Sequence, residues 1–121
     1  MEPERPVVRV MEQSNARGIA VTVQGELDFA TVDQLADRLA HLQARDVPVT
    51  VDLRRVSFLD CAGLRLLLGA HADGAARGCP VEFIQGPPAV QRLFELTGTL
   101  DLLPFTVPGA AAHATPVSST G

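Results

Sequence analysis

The alternation of apolar and polar residues is clearest where Ile19, Val21 and Val23 are interleaved with Ala20, Thr22 and Gln24, which predicts a strand over 19–25 with one buried face. Ahead of it, Val7, Val8, Val10 and Met11 predict a shorter strand over 7–13, with Asn15 to Gly18 as the hairpin turn. After Gly25-Glu26-Leu27-Asp28 the spacing lengthens. Val32, Leu35, Leu39 and Leu42 recur at steps of three and four, so a helix follows with an apolar face and with Asp33, Gln34, Asp37 and Arg38 opposite. Thr31 and Gln34 have the spacing of a capping box, in which hydroxyl and amide satisfy free backbone N–H groups.

Pro48 to Leu53 returns to a strand pattern, and Val56 to Leu59 continues it towards an abrupt junction. A second helix is expected from about Cys61 to Arg77, with Leu64, Leu67, Leu68, Ala72 and Ala75 on its inner side and Gly78 as its C-terminal cap. Val81 to Ile84 is the next strand. Pro87-Pro88 opens a third helix, directing Val90, Leu93, Phe94 and Thr97 inward and ending at Gly98. Leu102, Leu103, Phe105 and Val107 suggest a last short strand. Residues 1–6 are expected to be flexible, and the Ala, Thr, Ser, Pro and Gly of 108–121 to form a disordered tail. The order ββαβαβαβ over 7–107 predicts one α/β domain around a mixed, mostly parallel sheet of four to five strands with right-handed crossovers.

Length and composition fit this reading. A chain of 121 residues buries roughly two thirds of its unfolded surface on folding. The net charge is −4 and all ten basic residues are scattered arginines, so no basic footprint for nucleic acid exists. The lack of Trp and Tyr removes the usual stacking platforms for single strands. Met1 to Pro6 lack the pattern of a signal peptide, and no apolar run reaches the roughly 18–20 residues that span a bilayer, so a cytoplasmic protein without membrane insertion is expected. Cys61 and Cys79 flank a helix whose ends lie about 24 Å apart, beyond the ~7 Å limit of a disulfide. Reduced thiols are therefore expected.

Chemistry concentrates at Val56-Ser57-Phe58-Leu59-Asp60-Cys61-Ala62-Gly63-Leu64, where strand gives way to helix. An acidic residue there caps the free N–H groups of the first turn, and the positive end of the helix dipole favours negative charge. Cys61 offers a thiol at that end, a setting in which several enzyme classes hold a thiolate. The spacings of two such classes fail: a cysteine phosphatase loop needs Arg where Leu67 stands, and a sulphurtransferase-type loop needs Gly where Leu64 stands. Cys61 is then either a possible redox thiol or a small residue tolerated at a cap. Asp60 is an N-cap residue, or part of a binding corner. Asp28 ends a neighbouring strand at the same sheet edge and is placed to approach Asp60. No nucleophile, His or metal spacing accompanies the two carboxylates, so neither an enzyme nor a metal site is expected. His41, His71 and His113 read as surface or helix-flank residues, and no phosphate-binding loop is present.

Four blocks in order, Gly25-Glu26-Leu27-Asp28, Val51-Asp52-Leu53, Phe58 to Leu64, and Pro88-Ala89-Val90-Gln91-Arg92-Leu93-Phe94-Glu95-Leu96-Thr97-Gly98, resemble the STAS domain of bacterial anti-sigma factor antagonists. The resemblance covers roughly residues 7–107. It implies an α/β sandwich that works by partner switching. An unphosphorylated antagonist binds an anti-sigma factor, a serine kinase of the ATPase/histidine-kinase-like fold, and frees the sigma factor. Phosphorylation of a Ser directly after the Asp of an Asp-Ser-Ser-Gly motif releases it. In this chain that phospho-acceptor position is Cys61, and the next is Ala62, so the residue that carries the switch has no hydroxyl. The resemblance implies a partner-binding surface of Asp28, Phe29, Thr31, Asp60, Cys61, Ala62, Gly63 and Arg65, with no cofactor and a monomer or weak dimer. Ser57 and Thr31 lie near the same edge. A second role for such domains, as accessory subunits of lipid-transport ATPase or signalling complexes, does not depend on phosphorylation.

Overall fold

The computed structural model describes residues 8–107. Its elements are β1 (Val8–Asn15), β2 (Gly18–Leu27), α1 (Val32–Gln43), β3 (Val49–Leu59), α2 (Cys61–Arg77), β4 (Val81–Ile84), α3 (Pro88–Leu96), a 3₁₀ turn (Leu100–Leu102) and β5 (Phe105–Thr106). The five strands lie in sequence order, β1 antiparallel to β2 and every later pair parallel. This is the mixed, mostly parallel α/β architecture expected from the chain. Val7 and the two terminal segments, 1–6 and 108–121, lie outside the described residues.

One core holds the fold together. Val21 and Val23 of β2, Val51, Leu53 and Val56 of β3 and Phe83 of β4 meet Leu35, Leu39 and Leu42 of α1, Leu64 and Leu67 of α2, and Val90 and Phe94 of α3. All three helices therefore cover the same face of the sheet. The alternate residues, among them Met11, Thr22, Gln24 and Thr50, face the other way. Phe105 closes the far side, its ring edge-on to Phe94 at 5.5 Å.

β3 is one strand of 11 residues rather than a strand followed by an apolar continuation. Its pairing with β2 slips twice: Thr22 pairs with Asp52 but Gln24 with Arg55, and Gly25 pairs with Val56 but Glu26 with Phe58. In each slip two β3 residues oppose one of β2, which is the geometry of a bulge. The burial pattern follows, with Arg54-Arg55 and Ser57-Phe58 exposed in consecutive pairs between the buried Leu53, Val56 and Leu59. A strict two-residue period breaks at both places.

Other local expectations are corrected by packing. The capping box does not form: the Thr31 hydroxyl donates to Glu26 O at 2.6 Å and accepts from Asp28 N at 3.0 Å, so it makes no cap bond to α1. The inner side of α2 runs through Gly63, Leu64, Leu67, Ala70 and Gly74, while Ala72 and Ala75 are exposed and Leu68 is half-buried. The cause lies at Gly74, where an added Cβ would stand 2.6 Å from Cys79 O and 2.8 Å from a Val81 methyl, so the backbone itself meets β4. Thr97 is exposed, because its hydroxyl turns back to Leu93 O at 2.7 Å, and Leu93 is only half-buried. Of the last expected strand, Leu102 belongs to the 3₁₀ turn, Leu103 is buried, and only Phe105–Thr106 pair with β4. Gly78 does cap α2, in the left-handed conformation at φ 74°.

Candidate functional site

Parallel pairing of Leu27 with Leu59 brings the C-terminal ends of β2 and β3 side by side. The chain leaves both strands there, into the loop before α1 and into the first turn of α2. Asp60 joins the two. Its N–H donates to Leu27 O at 3.3 Å, its Oδ1 accepts from Gly63 N at 3.0 Å, and its Oδ2 accepts from Phe29 N at 3.2 Å. One carboxylate thus caps α2 and holds the loop after β2.

Asp28 turns its own loop, accepting from Ala30 N at 2.9 Å through Oδ1. Thr31 is 1% exposed and fixes the loop from inside, through Glu26 and Asp28. Gly63 is buried against the strand ends: an added Cβ would lie 2.6 Å from both Leu27 O and Leu59 Cδ1. The close approach of α2 to the sheet depends on its lacking a side chain. Phe29, Cys61 and Arg65 face solvent, Phe29 at 80% exposure, while Asp28, Asp60 and Ala62 are half-buried.

The expected residues therefore gather at one corner, divided between those that build it (Asp60, Thr31, Gly63) and those it displays (Phe29, Cys61, Arg65). Ser57, one of the two hydroxyls considered at this edge, is exposed; Thr31, the other, is not. Phe58, 50% exposed beside Glu26, belongs to the same corner, a place its sequence neighbours do not reveal. Only the bulge at Ser57 turns it outward, and the apolar run Val56 to Leu59 gives no sign of that.

The free cysteines Cys61 and Cys79 form no disulfide. Among the described residues no group of three His, Cys, Asp or Glu is placed to hold a metal, and no helix is long and apolar enough to cross a membrane. Away from the corner, Asp52 is buried beneath Arg54, whose guanidinium grips it at 2.7, 3.0 and 3.2 Å. Burial pushes this carboxyl up, but the hydrogen bonds and charge of Arg54, helped by Arg55, outweigh it and leave it below its ordinary value.

A family model described as "Mlab, STAS domain" matches residues 10–104, nearly the whole described chain. The chain belongs to the STAS-domain family of anti-sigma factor antagonists. An anti-sigma-B factor antagonist of Staphylococcus aureus is 34% identical to it over 86 residues, covering 69% of this chain and 78% of that protein. The same fold is seen in an anti-sigma factor antagonist from Mycobacterium paratuberculosis, with a TM-score of 0.79 at 24% identity over 89% of this chain and 93% of that one. It recurs in the anti-sigma factor antagonist SpoIIAA in its unphosphorylated form, with a TM-score of 0.72 at 20% identity over 88% and 95% of the two chains. In this STAS domain the Asp60 corner is built by main chain and small residues, and at its apex stands a thiol.

Proposed function

We propose that this STAS domain is a non-enzymatic, cytoplasmic antagonist that binds a kinase-type anti-sigma factor through the Asp60 corner and so releases a sigma factor. The observation that carries the reading is the display of Phe29, Cys61 and Arg65 around an acid-capped helix start, on a chain whose relatives include proteins named anti-sigma factor antagonists. No cofactor enters this reading.

The switch differs from the family pattern. A phosphoserine at this position would bring about −1.5 to −2 charges into a fitted interface and break it. Cys61 has no hydroxyl to receive that group, so the antagonist is insulated from the usual release step. Oxidation of the exposed thiol would put polarity or a mixed disulfide at the same place, which makes Cys61 the residue through which redox conditions would act. Mass spectrometry after mild peroxide tests this: Cys61 unmodified, with binding unchanged, removes the redox role.

The deciding experiment incubates the full chain with a purified kinase-type anti-sigma factor and ATP, followed by intact mass and a sizing column. A complex that forms and persists with no mass gain is the expected result. Absence of any complex would overturn the reading. A gain of one phosphate would move the switch to another hydroxyl, Ser57 first.

The missing hydroxyl also favours a second reading, an accessory subunit of a transport or signalling complex in which phosphorylation plays no part. Neighbouring genes separate the two: an anti-sigma or sigma gene on one side, a permease and ATPase on the other.

A further inference from the structure

The register slip at the end of β3 turns an aromatic ring outward. Gly25 pairs with Val56, a core residue, and Leu27 pairs with Leu59, both in the core. Between them β2 has one residue, Glu26, and β3 has two, Ser57 and Phe58. In an unbroken strand Phe58 would follow Val56 by two positions and point into the core. The extra residue sends it to the other face, where it is 50% exposed. Bulges of this kind re-aim side chains beside functional sites.

Phe29, 80% exposed, is the other aromatic at this corner. Its backbone is tied to Asp60, two residues beyond Phe58, by the 3.2 Å bond from Phe29 N. Phe83, Phe94 and Phe105, the remaining aromatics, lie in or against the core. The rings at solvent are thus both at the Asp60 corner, one on the loop side and one on the bare face of the sheet. Exposed Glu26 pairs with Phe58, and half-buried Asp28 precedes Phe29.

We infer that Phe29 and Phe58 are the anchors of the partner interface, and that the partner presents apolar pockets with an Arg or Lys opposite Glu26. This rests on the antagonist reading above and deepens it. The binding surface does not stop at the helix start but wraps over the sheet edge onto the face that none of the described helices covers. Aromatic side chains filling desolvated pockets carry most of the energy in such interfaces. Exposed Glu26 acts at the rim, where charge sets the association rate and its salt dependence.

The test is a binding titration of the full chain against a purified kinase-type anti-sigma factor. It compares the wild type with Phe58→Ala, Phe29→Ala, Glu26→Gln and a control, Leu102→Ala. Leu102 is also exposed but lies ahead of β5, at the opposite end of the strands. All four positions are at the surface, and circular dichroism confirms that each variant folds. Each Phe→Ala change is expected to weaken binding by about thirtyfold or more. Leu102→Ala should leave it unchanged, and Glu26→Gln should slow association and flatten its salt dependence. Wild type that binds while Phe58→Ala and Phe29→Ala bind equally well overturns the anchor assignment and leaves the antagonist reading standing. Wild type that binds no kinase-type anti-sigma factor overturns both. Variants that bind normally but convert a dimer into a monomer on sedimentation show that a second copy, not the anti-sigma factor, occupies the patch.

Discussion

The Asp60 carboxylate holds Phe29 at 3.2 Å through one oxygen while its other oxygen caps α2 at Gly63 N, 3.0 Å away. The loop after β2 and the first turn of α2 therefore cannot move independently. An N-cap residue is worth about 0.5–2 kcal/mol, and here the same group also satisfies a loop N–H. Replacing Asp60 by Ala removes both bonds. The expected loss is about 1–2 kcal/mol, read as a lower denaturant midpoint with an unchanged slope. Asp60→Asn retains one acceptor oxygen and should lose less than the Ala variant. If both variants unfold at the wild-type midpoint, the bridge contributes nothing.

Gly63 sits where helix and strand ends touch. A methyl group there meets a carbonyl oxygen, Leu27 O, that cannot rotate away, as well as the movable Leu59 side chain. Gly→Ala inside a helix would otherwise stabilise by up to about 1 kcal/mol. Overpacking costs about 1–3 kcal/mol and should win, because the backbone contact must be relieved by shifting α2 away from the sheet. Gly63→Ala is expected to be net destabilising and to weaken partner binding through the displaced helix start. Gly69→Ala, in the same helix with nothing within 4 Å of the added carbon, should instead be neutral or stabilising. Thermal melts of the two variants check the contrast.

The element order, the three helices and the placement of Asp28 and Asp60 just past the paired ends of β2 and β3 were legible because each rests on a period or on the rule that parallel strand ends share an edge. What stayed hidden depends on contacts between distant segments. The slips at Arg54 and Ser57 arise from β2 pairing; the first shows as the three-residue step from Leu53 to Val56, but at the second Phe58, two residues beyond Val56, reads as the next inward position. Thr31 and Gln34 match a capping motif, yet Asp28 N–H takes the hydroxyl oxygen that a cap would use, while Glu26 O accepts its proton. In α2 the run of Ala and Gly offers nearly equal faces, and the approach of β4 at Gly74 decides between them. The same competition decides Thr31's part at the corner: a residue named for partner contact is buried and acts from beneath.

The Asp52–Arg54 pair makes stability depend on pH in a definite direction. The folded carboxyl is held below its ordinary value, so the folded state binds its proton less readily than the unfolded chain, whose Asp titrates near about 3.9. The pair's contribution is complete above that pH and disappears as the pH falls through the lower folded value. Asp52→Asn should therefore be less stable than wild type at neutral pH, with the gap closing below roughly pH 3–4. Arg54→Gln should be destabilised at neutral pH as well, since it leaves a buried carboxylate without its cation. Denaturant titrations between acid and neutral pH would show the effect; a gap that persists unchanged at the acid end would argue against it.

The strongest functional expectation concerns residue 61 itself. Cys61→Ser changes one exposed atom at the start of α2 and leaves the Asp60 bonds to Gly63 and Phe29 in place, so stability should be unchanged within about 0.5 kcal/mol. It does, however, supply the hydroxyl that the wild type lacks. With a kinase-type anti-sigma factor and ATP, the Ser variant should gain one phosphate and leave the complex, while wild type and Cys61→Ala stay bound and unmodified. The new charge of about −1.5 to −2 would stand beside Asp60 and next to the Phe29 anchor, where a fitted partner has no room for it. Peptide mapping locates the phosphate. A Ser variant that binds but is never phosphorylated would show that the partner is not acting as a kinase on this site, and would favour the accessory-subunit reading. A wild type phosphorylated at Ser57 would show instead that the exposed bulge residue has taken over the switch.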